Sequence, residues 1–391
     1  MKRTENRAYL IVLLAILSSV APIGTDTYIP SIPNIAKVFH VSIQEIELTL
    51  SIFLIGFSIG QIFGGPLSDR YGRRKSSIVG LLGFSVVSLL IVFSTSIYEL
   101  WIYRFIEAFF GGIVVVNGSA AVRDRFHGEE AAEVFSLIGT VRSLAPLIAP
   151  AIGSFIIHFF SWKAVFIFLS AYSAIVAFMV WRSLHESFTY QKQEILKSYL
   201  GVLTHKTAMK AMLVLSFSFS GMFILISKSP FIYIEYFHIS TDEFPLFFGF
   251  NFVVLIGMIK VNLMLLKHYK AVQLIIFAIL IQILAAGLLM LSYKGINLMT
   301  AMMLIATYMS MMAFIFGNCM ALALEHFSKN AGVASSVVGV LQFGVGALIS
   351  SLALMYHNDD LLPIGVSIGI VSCVSLLLIL SYPRGKETQL A

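Results

Sequence analysis

The sequence of 391 residues is poor in charge, because its 26 Lys and Arg residues and 20 Asp and Glu residues make up only 12% of it, against 58% hydrophobic residues. Soluble domains carry about 25% charged residues and about half apolar residues. The low charge therefore excludes a water-soluble globular protein and indicates a polytopic membrane protein.

Several kinds of chemistry are also missing. The two cysteines, Cys319 and Cys373, both lie in hydrophobic segments and provide no disulfide framework. The nine histidines are scattered, so we expect no metal site. The sequence has no phosphate-binding P-loop, no Gly-x-Ser-x-Gly motif and no pair of catalytic aspartates. We therefore expect neither an enzyme nor an ATP-driven pump, and no cofactor.

Long uncharged runs are abundant. Ten of them approach or exceed the roughly 17 to 25 residues that a helix needs to cross about 30 Å of hydrocarbon. Two more hydrophobic segments, residues 99–121 and 132–158, contain charges but are long enough to span. The sequence thus predicts twelve membrane-spanning helices. The ten uncharged runs are residues 8–25, 48–68, 76–98, 164–181, 211–227, 244–259, 271–293, 295–324, 330–358 and 361–383.

The basic residues indicate the orientation. If the N-terminus is cytoplasmic and the spans alternate, nineteen Lys and Arg residues fall in inner segments and four in outer segments. By the positive-inside rule, both termini are predicted to be cytoplasmic. The net charge of +6 then reflects the basic residues of the inner segments, and no nucleic-acid partner is expected. The first run could be taken for a signal peptide, but its loss would leave eleven spans, so we expect a retained helix.

The longest polar stretch divides the chain into two halves of six spans. We expect a six-helix bundle over residues 1–184, a cytoplasmic connecting loop over 185–207 and a second bundle over 208–391. Such duplication places a transport site at the interface of the halves, near the bilayer midplane. Gly56, Gly60 and Gly64, spaced four apart in the second span, predict a close approach to another helix.

Three motifs resemble those of the major facilitator superfamily. The loop at residues 65–75 reads GPLSDRYGRRK, the fourth span reads RFIEA at 104–108, and the fifth reads APLIAPAIGS at 145–154. The resemblance implies a fold of two pseudo-symmetric six-helix bundles. It also implies a conformational latch in the loop and an antiporter element in the fifth span. The latch residues are Gly65, Asp69, Arg70, Gly72, Arg73 and Arg74, and the antiporter element is Pro146, Ala149, Pro150 and Gly153.

A narrower resemblance is to the bicyclomycin and chloramphenicol resistance (Bcr/CflA) subfamily of drug:proton antiporters. It rests on DTYIP at residues 26–30, AVRDRF at 121–126, GMF at 221–223, SPFIY at 229–233 and FFGFN at 247–251. It implies export of small, chemically diverse compounds across the cell inner membrane, driven by the proton gradient. The expected partners are drug-like molecules, protons and the lipid bilayer, and the expected functional unit is a monomer.

A charged residue at membrane depth costs free energy, so such residues are candidates for a functional role. Lys260 lies near the inner end of the eighth span, where its side chain can reach the interface. Asp26 lies in the outer half of the first span, where desolvation favours the neutral carboxyl that a proton carrier needs. Arg104 lies at comparable depth, and Glu107 shares its helix face. The proton could be carried by Asp26 or Glu107, or Arg104 and Glu107 could form a structural pair.

Arg142 lies roughly 15 Å into the fifth span. It could neutralise Glu107 or Asp26, or attract an anionic substrate group. Together with Asp26 and Asn117 it is a candidate for the substrate cavity, although Asn117 could equally join helices.

Two other functions stay open. One is a transporter of the same fold that imports or exports a single small metabolite. The other is a membrane enzyme or a scaffold that transports nothing.

Overall fold

The structure is a computed structural model that describes residues 7–126, 128–184, 186, 195–291, 295–327, 331–355 and 360–383. The description leaves out the side chains of residues 7, 8, 123, 128–133, 135–137, 139–143, 195–198, 331 and 332. Over these ranges the chain is all-helical, as expected. Its α-helices are α1 (Arg7–Asp26), α2 (Ile32–Phe39), α3 (Ile43–Tyr71), α4 (Arg73–Val92), α5 (Ile97–Arg125), α6 (Gly128–Phe159), α7 (Trp162–Ser183), α8 (Ile195–Leu203), α9 (Lys206–Ser227), α10 (Phe244–Leu265), α11 (Ala271–Leu291), α12 (Leu298–Ser310), α13 (Met312–Leu324), α14 (Ala331–Met355) and α15 (Leu362–Leu380).

Nearly all of these helices belong to membrane-length segments. In the described residues, eleven segments are long and apolar enough to cross a bilayer, and α6 adds the shorter apolar stretch Leu144–Phe159. Large apolar side chains lie on the outside, among them Phe155, Leu291 and Met355, which are 64%, 85% and 81% exposed. Soluble proteins rarely expose so much apolar surface. The prediction of a multi-pass, all-α membrane protein is confirmed.

Successive long helices run in opposite directions and define two faces. We call the face at which α1, α4, α6, α9, α11 and α14 begin the N-terminal face, and the opposite one the distal face. The distal face is the predicted outer face. The predicted spans and the observed helices agree closely, because the thickness of the hydrocarbon fixes the length of each helix.

The helices pack in two groups. Helices α1 and α3–α7 contact mainly one another, and so do α9–α15, while α3 packs against α14 and α6 against α10 between the groups. The Ser51 and Ser350 hydroxyls, 2.8 Å apart, join α3 to α14 near the distal face. The predicted connecting loop at 185–207 lies partly outside the described residues, so the division into two bundles stays a prediction.

Glycines let α3 lie directly on α5. A Cβ atom at Gly56 or Gly60 would collide with the carbonyl oxygens of Phe105 and Phe109 on α5. These obstacles are backbone atoms and cannot rotate away. The close approach predicted from the glycine spacing is confirmed.

We expect Gly60→Ala to lower the stability of the protein by about 1 to 3 kcal/mol, because the added methyl group must push α5 away from α3. Thermal unfolding of the purified protein in detergent micelles would measure the loss. The matched control is Gly257→Ala on α10, where nothing lies within 4 Å of the added carbon. Equal melting temperatures for the two variants would contradict the steric argument.

Two spans are interrupted near the distal face. Helix α1 ends at Asp26 and is followed by a 3-10 turn, Ile29–Ser31, that contains Pro30. Helix α9 ends at Ser227 and is followed by a π-helix, Pro230–Tyr236. Proline removes a backbone donor, so each break interrupts the regular helical hydrogen bonding. The segments beyond the breaks are therefore less firmly tied to the helices that precede them.

Candidate functional site

An ion pair is buried inside the first group of helices. On α5, Nη1 of Arg104 lies 2.6 Å from the Glu107 carboxylate, and both side chains are 0% exposed. Residues three positions apart share one helix face, so α5 itself holds the two groups together. The Ser88 hydroxyl on α4 donates a second hydrogen bond of 2.6 Å to Glu107. The Glu107 carboxylate thus accepts from two donors.

Arg104 also reaches the end of α1. Its Nη1 donates to the Gly24 carbonyl oxygen at 3.2 Å. Its guanidinium carbon lies 4.6 Å from the centre of the Tyr28 ring and 4.4 Å from that of Phe53, where cation–π attraction stabilises it. Within the described part of the chain, Nε and Nη2 have no hydrogen-bond partner. An unpaired buried donor costs about 1 to 3 kcal/mol, so these two nitrogens favour a further acceptor.

Asp26 is the last residue of α1, two positions after the carbonyl group that Arg104 contacts. Its side chain is buried with only 7% of the residue exposed, and among described groups its polar interaction is with Thr25. The structure therefore brings Arg104 to the backbone beside Asp26 and to the carboxylate of Glu107. It does not pair Arg104 with the Asp26 carboxylate.

The remaining cavity candidates lie elsewhere. Arg142 belongs to α6, and its side chain is outside the described part of the protein. Asn117 is fully buried and donates to the Ser76 hydroxyl on α4 at 2.9 Å. That hydrogen bond joins two helices of the first group. It favours the packing role of Asn117 over a role in binding substrate.

The proline-containing element lies on α6, which packs against α1 and the 3-10 turn after it. Pro146 and Pro150 are inside the helix, and Ala149 is buried between them. A Cβ atom at Gly153 would collide with the Thr27 carbonyl oxygen. The small residues thus let α6 lie against the break that follows Asp26.

The latch residues form a charge network at the N-terminal face. Arg73 pairs with Asp69 on α3 and, through Nε at 2.9 Å, with Asp124 on α5. Arg70 lies over the Tyr71 ring, and Gly65 has open space around it. The network links the ends of three helices of the first group.

Glu186 occupies the positive N-terminal end of α4. Its carboxylate accepts from the amides of Arg73 at 2.6 Å and Arg74 at 3.4 Å. An anion at this end is stabilised by the helix dipole. Gly72, with φ of 96°, has no room for a side chain because the Glu186 carboxyl lies against it. The guanidinium group of Arg74 donates to the Trp181 carbonyl oxygen.

A second buried ion pair was not predicted from the sequence. Nζ of Lys228, at the end of α9, lies 3.1 Å from the Glu47 carboxylate near the start of α3. Their side chains are 4% and 0% exposed. We call Glu47 and Lys228 the gate pair. It is an ion pair between the two groups of helices, close to the distal face.

No three His, Cys, Asp or Glu side chains among the described residues lie close enough together to hold a metal ion. The chemistry that the described charges support is pairing and proton exchange.

Two curated relatives resemble the chain over nearly its whole length. The "Bicyclomycin resistance protein homolog" of Haemophilus influenzae is 30% identical over 386 residues, which cover 96% of this chain and 96% of the relative. The "Multidrug resistance protein MdtL" of Salmonella heidelberg is 26% identical over 392 residues, covering 99% and 97%.

Solved transporters share the fold. A crystal structure of a D-xylose-proton symporter superposes with a TM-score of 0.78 at 16% identity and covers 98% of both chains. The inward open xylose transporter XylE from E. coli gives 0.73 at 16% identity, covering 96% of this chain and 97% of its own. The model of the Major Facilitator Superfamily matches residues 14–351. The chain therefore belongs to the major facilitator superfamily and is a multi-pass membrane transporter, not an enzyme.

Proposed function

We propose that the protein exports small, chemically diverse compounds across the inner membrane by proton-coupled antiport and alternating access. The names of the bicyclomycin and multidrug resistance relatives support drug-like substrates. Energy comes from the proton gradient without a cofactor, and a monomer suffices. Both termini lie in the cytoplasm, so the distal face is the outer face.

The observation that carries the proposal is the incompletely satisfied arginine beside Asp26. Arg104 is fully buried, and its Nε and Nη2 lack partners within the described residues. An ionised Asp26 carboxylate that moved toward Arg104 would satisfy these donors, whereas a protonated Asp26 gains less from the pairing. Two conformations that differ in this pairing therefore differ in proton affinity. Proton binding at Asp26 then shifts the balance between them.

We assign different roles to the two carboxyls. Glu107 already accepts from Arg104 and Ser88, so it holds the guanidinium in place. Asp26 has no cationic partner among the described side chains and ends the helix just before an irregular segment. We therefore place the transported proton on Asp26. Arg142 stays a candidate for the substrate cavity.

The latch residues act at the other end of the same helices. Arg73 connects α3 and α5 through Asp69 and Asp124. Rearrangement of this network would accompany closure of the N-terminal face. The latch thus couples the pairing of Arg104 and Glu107 on α5 to the opening and closing of the cytoplasmic side.

Transport by purified protein in liposomes would test the proposal. With an inwardly directed proton gradient across the proteoliposome membrane, we expect outward movement of several unrelated compounds, bicyclomycin and chloramphenicol among them. A protonophore should reduce transport to the level of empty liposomes. Gradient-independent uptake of one metabolite, with no drug transport, would support the single-metabolite transporter instead. No transport of any solute would support a scaffold.

A further inference from the structure

The gate pair joins the two groups of helices where they meet at the distal face. Glu47 lies in the first turns of α3, and Lys228 follows the last residue of α9. The Ser51–Ser350 hydrogen bond of 2.8 Å lies one turn below it, and α2 contacts the π-helix Pro230–Tyr236 beside it. The distal ends of the two groups are thus in contact, and these two charges lie between them.

Burial of this pair is expensive. Removing a carboxylate and an ammonium from water is strongly unfavourable, and their mutual attraction offsets this loss only when further hydrogen bonds complete the site. For the three N–H donors of Lys228, the described surroundings provide the Glu47 carboxylate at 3.1 Å and the face of the Phe231 ring at 5.5 Å. Two apolar side chains would join the helices at least as well. The charges therefore point to a function other than stability.

The backbone around Lys228 allows its ammonium group to move away from Glu47. The residue lies between the end of α9 at Ser227 and the π-helix that begins at Pro230. π-helical segments are uncommon and occur frequently at functional sites. A small rotation at this break would withdraw the ammonium from Glu47 without moving the rest of α9. The gate pair is thus placed where the seventh span can bend.

We propose that Glu47 is a proton-binding site, distinct from Asp26, that controls the distal gate of the transporter. In the closed gate, Glu47 is ionised and paired with Lys228. When the groups separate, the carboxylate binds a proton from the distal water while Lys228 keeps its own positive charge. The proton returns to that water when the pair forms again. Acid at the distal face therefore favours the open gate, since only the open state binds the extra proton.

Other charges near Glu47 fit this role. Glu235, on the π-helix, is a second charged group near the carboxylate. Elements packed against α3 also carry Lys37 on α2 and Glu99 on α5, besides the Arg104–Glu107 pair. Over residues 333–355, α14 contributes no charge. Of these groups, Lys228 is the one in contact with Glu47.

A second charged contact lies at the distal face and includes a histidine. His158 on α6 lies 2.8 Å from Asp242, which precedes α10. Protonation of this histidine would strengthen the contact and favour closure in acid. Opening in acid would therefore identify Glu47 and not His158.

Pulsed electron paramagnetic resonance would test the proposal. Spin labels at Val38→Cys on α2 and Leu246→Cys on α10 would report the distal separation, since both side chains are exposed. Cys319 and Cys373 are first replaced by serine, and Asp26 by asparagine, so that protonation of Asp26 does not contribute to the response. Between pH 8 and pH 6, we expect the population of long distances to increase at least threefold in this parent variant. Glu47→Gln should show the long distances at both pH values.

Two further variants keep the test decisive. Replacing both Glu47 and Lys228 by methionine should give a gate that stays closed at both pH values. Glu45→Gln removes a partly exposed carboxylate two residues earlier on α3, which bonds Ser42, and should respond to pH as the parent variant does. A pH response that persists in the methionine double variant, or is absent in the parent variant, would overturn the proposal.

The inference extends the proposed function, but its test is separate. The distance measurement needs neither a substrate nor a proton gradient. An unchanged distance would therefore reject the gate and leave drug:proton antiport standing. Loss of antiport in the liposome assay would reject the proposed function. It would not affect the conclusion about the gate, which depends on the distance measurement alone.

Discussion

Asp26→Asn is expected to reduce proton-driven drug efflux to the level of empty liposomes while the protein stays folded. The amide has nearly the shape of the carboxyl group but cannot exchange a proton. Without ionisation at this position, the change in pairing with Arg104 no longer depends on the proton gradient. Drug movement and proton movement, recorded together in proteoliposomes, would measure the effect.

The control for this experiment is Asp26→Glu, which keeps an ionisable carboxyl on α1 and should retain part of the coupled transport. Glu45→Gln, at a partly exposed carboxylate near the same face, should transport normally. Full activity of Asp26→Asn would instead assign the transported proton to Glu107. Melting curves of all three variants would separate lost transport from lost folding.

Arg104→Met is expected to be the most destabilising of these substitutions, by about 3 to 5 kcal/mol, because it leaves Glu107 buried and ionised without its cation. Protonation of Glu107 would recover part of that free energy. The aromatic side chains Tyr28 and Phe53 would also lose a cation–π contact. Thermal or denaturant unfolding in detergent would measure the loss, and proton-driven transport should disappear as well.

The double variant Arg104→Met with Glu107→Gln separates stability from function. Because no unpaired charge is left, most of the stability should return. Transport should not return, since Asp26 would still lack its arginine. A stable and active Arg104→Met single variant would show that the pair is neither a structural nor a functional requirement.

The sequence allowed the fold to be predicted almost completely. The run at residues 76–98 corresponds to α4 (Arg73–Val92), and the run at 244–259 to α10 (Phe244–Leu265). Hydrocarbon thickness and helical rise are general constraints, so they can be read from composition alone. The pairing of Arg104 with Glu107 was also accessible, because it depends on the spacing within one helix.

The gate pair could not be predicted in the same way. Glu47 precedes an apolar run and Lys228 follows another, so each looked like an ordinary residue of the membrane surface. Their burial depends on how two helices distant in the chain approach each other. Glu186 was missed for a similar reason, since a residue after α7 caps α4 only in the folded protein. Such contacts are properties of packing between helices.

The position of Asp26 at the end of α1 also has an electrical consequence. The helix has 20 residues and is thus about 30 Å long, while the membrane-length segment that contains it continues to Phe39, so Asp26 lies in the distal half of this segment. A proton that reaches it from the distal water crosses the smaller part of the membrane field, and its onward passage crosses the larger part. Passage through the whole field gains about 2.3 kcal/mol per 100 mV. Membrane voltage should therefore accelerate proton release to the N-terminal face more than proton capture at the distal face.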